Sequence, residues 1–128
     1  TYAIQVNAIC VADAYLYIVG TTEGNMIEGG GSIGVLGGAF VIKMDIATRQ
    51  VEWTRQISGR NVEGLGCAVS QDAVFVGGNT NEIVEQGQDG GQHIAFSKTK
   101  YVFVSALSPF DGQAMWTKQL DFDTLFWQ

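Results

Sequence analysis

The sequence predicts an all-β fold built from two tandem units of four antiparallel strands each. Composition is the first observation behind it. Seventeen glycines stand against one proline, and only 16% of the 128 residues are charged, a balance poor in helix formers and rich in strand and turn residues. The second is an internal repeat. Phe40-Val-Ile-Lys-Met-Asp-Ile-Ala-Thr-Arg-Gln-Val-Glu-Trp-Thr-Arg-Gln-Ile57 aligns with Phe103-Val-Ser-Ala-Leu-Ser-Pro-Phe-Asp-Gly-Gln-Ala-Met-Trp-Thr-Lys-Gln-Leu120, 63 residues on, and six of the 18 positions are identical, including a Trp-Thr-x-Gln core. The third is that the apolar runs are short and bounded by turn residues, with no capped stretch of helical period to compete.

In the first copy the strands are expected over residues 4–11, 15–20, 39–45 and 51–57, and in the second over 66–70, 73–78, 101–107 and 114–120. Ala12-Asp13-Ala14 turns the first strand into the second, and Gln71-Asp72 does the same in the second copy. Leu16-Tyr-Ile-Val-Gly20 corresponds to Val74-Phe-Val-Gly-Gly78 at an offset of 58. The connectors after these strands are polar and glycine-rich, and the second is five residues longer, a change that surface loops tolerate. Residues 40–42 and 102–104 are apolar without alternation, as in strands covered on both faces. The turns at residues 46–50 and at Pro109-Phe-Asp-Gly112 lead into the last strand of each copy.

A four-stranded unit of about 60 residues repeated in tandem points to blades of a β-propeller, whose faces are both covered by neighbouring blades. An eight-stranded sandwich would show clean polar alternation on its outer faces, which the inner strands lack. The expected organisation is a blade over residues 1–60, a second over 61–123, and the start of a further element at 124–128. Two blades alone would expose large apolar faces, and the chain opens at Thr1 without a leader; it is expected to be a fragment of a larger propeller.

The run Leu16-Tyr-Ile-Val-Gly-Thr-Thr22, a glycine-rich connector, Gly37-Gly-Ala-Phe-Val-Ile-Lys-Met-Asp45, then Trp53 and Gly59, followed by Cys67-Ala-Val-Ser-Gln-Asp-Ala-Val-Phe-Val-Gly-Gly-Asn-Thr80, resembles the seven-bladed β-propeller repeat of many cell-surface and secreted proteins. An overlapping likeness is to quinoprotein-like propellers, whose blades carry AxDxxTGxxxW. The first copy keeps Asp45, Thr48 and Trp53 of that pattern, with Lys43 and Arg49 in place of Ala and Gly. The second keeps Ala106, Gly112 and Trp116, with Ser108 and Asp111 in place of Asp and Thr. The resemblance implies that Trp53 and Trp116 pack between blades, together with the repeat residues Phe40 and Phe103. It implies an extracellular, cell-surface or organelle-lumen setting, and a scaffolding or adhesive role. A portion of a quinoprotein-like dehydrogenase and a carbohydrate-binding propeller, with Trp127 or Tyr101 stacking on sugar, are the alternatives.

The chemistry-bearing residues support no enzyme. Gly29-Gly-Gly-Ser-Ile-Gly34 matches GxGxxG in form, yet a strand follows where phosphate binding requires a helix. His93 is the only histidine, which leaves no imidazole pair for a metal, and no motif ties Ser58 or Ser108 to it. Cys10 and Cys67 either form one disulfide or stand as small buried hydrophobes. The loop carboxylates Glu23, Glu28, Glu82, Glu85, Asp89, Asp121 and Asp123 suit calcium, the alternative to an expectation of no cofactor, but acidic loops also keep a strand-rich surface from pairing with itself. A net charge of −6 makes nucleic acid a poor partner, and no apolar run approaches the roughly 20 residues that span a bilayer. Recognition is expected on the two long connectors, through Met26, Ile27, Ile33, Val35 and Leu36 in the first and Ile83, Val84, Ile94 and Phe96 in the second. The partners are expected to be other protein chains, among them remaining blades of the same polypeptide.

Overall fold

A computed structural model of the chain describes residues 3–23, 37–58, 62–80 and 101–121. The elements in order are β1 (Ile4–Ala12), β2 (Tyr15–Thr22), β3 (Gly38–Asp45), β4 (Val51–Ser58), β5 (Glu63–Val69), β6 (Val74–Thr80), β7 (Tyr101–Leu107) and β8 (Ala114–Asp121). They form two four-stranded antiparallel meanders, β1-β2-β3-β4 and β5-β6-β7-β8. The fold is all-β, two consecutive propeller blades. Seven of the eight expected strands match within two residues at either end. The fifth begins at Glu63, three residues before its expected start, because β5 continues through Gly64 and Gly66 by way of an irregularity that lies between them.

That irregularity belongs to the repeat. The register slips between Val6 and Ala8 in β1 and between Gly64 and Gly66 in β5, so Asn7 and Leu65 are the extra residues of two equivalent bulges. At each bulge the first strand folds close over a glycine of the second. A Cβ on Gly20 would collide with the Gln5 carbonyl, and one on Gly78 with the Glu63 carbonyl. The Phe40 ring covers Gly20 and the Phe103 ring covers Gly78. Bulge, glycine and phenylalanine are therefore one device used twice, in which the ring fills the space the missing side chain leaves.

The turns before β4 and β8 also match bond for bond. Arg49 N donates to Asp45 O at 2.8 Å and Gly112 N to Ser108 O at 2.9 Å, while Asp45 N donates to Gln50 O at 2.9 Å and Ser108 N to Gln113 O at 2.8 Å. Both turns need a left-handed residue, Arg49 with φ 64° and Gly112 with φ 78°. A second bulge follows each, since Lys43 faces Trp53 but Met44 faces Val51, and Ala106 faces Trp116 but Leu107 faces Ala114.

The blades stack face to face, with β5 lying against β1, β2 and β3. Their shared core holds Tyr17, Val19 and Val41 from the first blade and Val74, Val76 and Leu107 from the second, all 2% exposed or less. A second cluster joins Ala39 to Val62 and Phe103. Burying such side chains stabilises by about 1.5–3 kcal/mol each, which makes the seam the principal hydrophobic core among the described residues.

Candidate functional site

The densest polar arrangement sits at the rim of this seam. Lys43 is 8% exposed. Its Nζ donates to the Pro109 carbonyl at 2.6 Å and lies 4.0 Å from the centre of the Tyr15 ring and 5.9 Å from that of Tyr17. A buried ammonium needs such compensation, and a carbonyl together with two aromatic faces supplies it. Trp53 Nε1 donates to the same carbonyl at 3.0 Å. The indole lies on Gly112, where a Cβ would come within 2.7 Å of the ring. The turn of the second blade thus docks on the first through a carbonyl that accepts twice and a glycine that clears the ring.

Elsewhere along the seam, the bulge aims Asn7 across it. Asn7 Nδ2 donates to Gly64 O at 2.7 Å and to Thr21 Oγ1 at 3.2 Å. Gly64 passes so close that a Cβ there would meet Gly20 O at 2.8 Å and Val19 Cγ1 at 3.0 Å. A disulfide between Cys10 and Cys67, Cα atoms 6.2 Å apart, ties β1 to β5. It resolves the two cysteine readings in favour of the bridge and fits an oxidising compartment. Burial pushes the Tyr17 hydroxyl above its ordinary pKa, with smaller contributions from Tyr15 and Asp13. Asp45, in the turn before β4, is held below its ordinary value chiefly by the Thr48 amide, which donates to Oδ1 at 2.9 Å.

The expected blade anchors occupy related but unequal places. Trp53 pairs with Tyr17 at 6.2 Å between ring centres and 52°, and Trp116 pairs with Phe75 at 6.2 Å and 49°. Trp53 is covered by the second blade, whereas Trp116 is 49% exposed. Phe103 joins the seam cluster, and Phe40 is buried over Gly20. On the far side of the first blade Ile4, Val6, Ile9 and Val11 are all at least 50% exposed. Sequence reasoning missed this stripe, although the repeat carried its signal: their counterparts 58 residues on are Val62, Gly64, Cys67 and Val69, the strand that packs on the first blade.

Tyr101 lies partly buried at the start of β7, and Glu23 is exposed with Oε1 accepting from Ala3 N at 3.4 Å. Ser108 Oγ accepts from Phe110 N at 3.2 Å, a turn contact. The loop residues Met26, Ile27, Ile33, Val35, Leu36, Ile83, Val84, Ile94 and Phe96 fall outside the described residues. So do His93, Gly29 to Gly34, Trp127 and the carboxylates Glu28, Glu82, Glu85, Asp89 and Asp123. Among the described residues no three of His, Cys, Asp and Glu gather where they could hold a metal, and no helix is long and apolar enough to cross a membrane.

Fold and seam together define a class, a chain of paired propeller blades with a cross-linked interface. No family model matches the chain, and no curated protein matches it.

Proposed function

We propose that this chain is a non-enzymatic β-propeller scaffold that engages other protein chains in an extracellular, cell-surface or lumenal assembly. The observation that carries the reading is how the polar groups of the seam are used. Asn7, Lys43 and Trp53 bond across the blades to backbone carbonyls, so these three polar side chains are spent on fixing the frame. Apolar surface meanwhile stays exposed on both outer faces, as interaction modules display it. The disulfide supports the oxidising setting.

The connectors between β2 and β3 and between β6 and β7 leave neighbouring blades at equivalent points, and both serve as recognition loops in this reading. Replacing residues 82–99 by a short Gly-Ser linker should leave the far-ultraviolet circular dichroism spectrum unchanged and reduce capture of a binding partner in a pull-down. Undiminished capture after both connectors are shortened would remove the loops from the proposal.

A further inference from the structure

The two outer faces of the blade pair are the two halves of the seam already inside it. β1 presents outward the positions that β5 uses to pack on the first blade, and the second blade presents outward, at Phe75, Gly77, Val104 and Trp116, the positions that Tyr17, Val19, Val41 and Trp53 hold in the seam. We propose that a second copy of this chain docks head to tail on the first, its β1 stripe seated on the outer face of blade two in the register of the internal seam. The inference deepens the scaffold reading, and rests on it, by naming the partner of these faces.

The side chains at the two seams are exchanged in size. In the internal seam a small residue of the second blade, Gly64, meets a large one, Val19; in the new seam Val6 of one copy meets Gly77 of the other. Among the described residues, Gly77 has only the Phe103 carbonyl near its missing Cβ, at 3.7 Å, and Gly66, counterpart of Ala8, has nothing within 4 Å. Both leave room for the larger β1 side chains. Ile9 takes the place of Cys67 and meets Ala68, which takes the place of Cys10. Leu65 replaces Asn7 at the bulge and is 44% exposed, an apolar contact where the internal seam has a hydrogen bond.

The cation changes sides too. Ala106 stands in blade two where Lys43 stands in blade one, flanked by its cross-strand partners Phe75 and Trp116. The turn arriving from the second copy carries Arg49 where Gly112 docks on Trp53. A side chain there cannot sit as Gly112 does, so the Arg49 guanidinium lies against the half-exposed Trp116 indole. Every contact joins one face to its opposite, so the association is heterologous and closes into a ring when the rotation permits.

The test is a cross-link that copies the internal disulfide. Ile9→Cys with Ala68→Cys places thiols at the counterparts of Cys67 and Cys10. Within one chain these positions face opposite ways, so they can join only between copies. Mild oxidation of the double variant should convert most of the protein to reducible oligomers on a non-reducing gel. Mixing the two single variants should give mainly the mixed dimer. A folded double variant that stays monomeric overturns the proposal. So does preferential cross-linking of the Ile9→Cys variant to another copy of itself, which would mean that the stripe packs on its own kind. Should the double variant fail to fold, sedimentation of the wild-type chain decides: discrete oligomers whose dissociation constant rises at least about tenfold in Val6→Lys support the docking, and a wild-type monomer at all concentrations overturns it. Neither readout involves the connectors, so failure here is separable from failure of the loop-binding reading.

Discussion

Arg49 and Gly112 hold the same place in two copies of one turn, and the difference between them follows from what each turn touches. Both are left-handed, a conformation that costs about 1–2 kcal/mol for a residue with a Cβ. Arg49 is exposed, while Gly112 lies beneath Trp53. Gly112→Ala is therefore expected to destabilise the chain by about 2–3 kcal/mol, strain and indole contact combined, as a shift in the urea midpoint. The neighbouring positions show how much of the turn was legible in the sequence. Each copy keeps half of AxDxxTGxxxW, and the structure shows the halves doing the same work: Gln50 N donates to Thr48 Oγ1 and Gln113 N to Asp111 Oδ1. The pattern fixed the turn even where its letters differed. Asp45 adds a titration that Ser108 lacks. Because its folded-state pKa is lowered, its contribution is complete above the ordinary aspartate range, near pH 4, and is lost as the pH falls through the lowered value. Asp45→Asn should flatten the acid limb of stability against pH, read from urea midpoints between about pH 2 and 5.

At the level of strands, alternation and turn chemistry were enough to place the elements, because each strand is short and each turn carries its own signal. They failed at the start of β5, where the expected strand begins only at Gly66 and the observed one at Glu63. Gly64 is there because β5 crosses β2 closely, and the strand bulges next to it at Leu65; these requirements are set by the other blade and by pairing with β6, neither visible in a local window. The two tryptophans show the same limit. Their motif is identical and their cross-strand aromatic partners are equivalent, but burial depends on the blade beyond. Trp53→Ala removes a ring and a seam hydrogen bond and is expected to cost about 3–5 kcal/mol. Trp116→Ala, removing a ring already half exposed, should cost only about 1 kcal/mol in the monomer. Equal losses in thermal or urea melts of dilute protein would mean that Trp116 is covered within a single chain.

Across the whole molecule, the repeat predicts two equivalent blades, yet the bond that joins them is asymmetric. Cys10 and Cys67 are not counterparts: 58 residues separate equivalent positions, so Cys67 corresponds to Ile9 and Cys10 to Ala68. Repeat alignment alone therefore could not pair them; the pairing follows only when the first blade's inner face is laid on the second blade's opposite face. That placement also explains why a bridge is useful here. The seam is formed by residues far apart in sequence, and the disulfide closes a separation of 57 residues, for which the chain-entropy treatment gives a stabilisation of about 4 kcal/mol. Lys43, Trp53 and Asn7 act across the same interface but only after it has formed, whereas the bridge limits the unfolded chain before it does. A Cys10→Ala, Cys67→Ala variant should keep the four-stranded meanders, each held by local hairpins, and lose about 2–4 kcal/mol of stability. Denaturation of the oxidised chain, with and without a reductant, should show the same difference. If the variant and the reduced chain melt with the oxidised protein, packing alone holds the blades, and the bridge has no thermodynamic part in the seam.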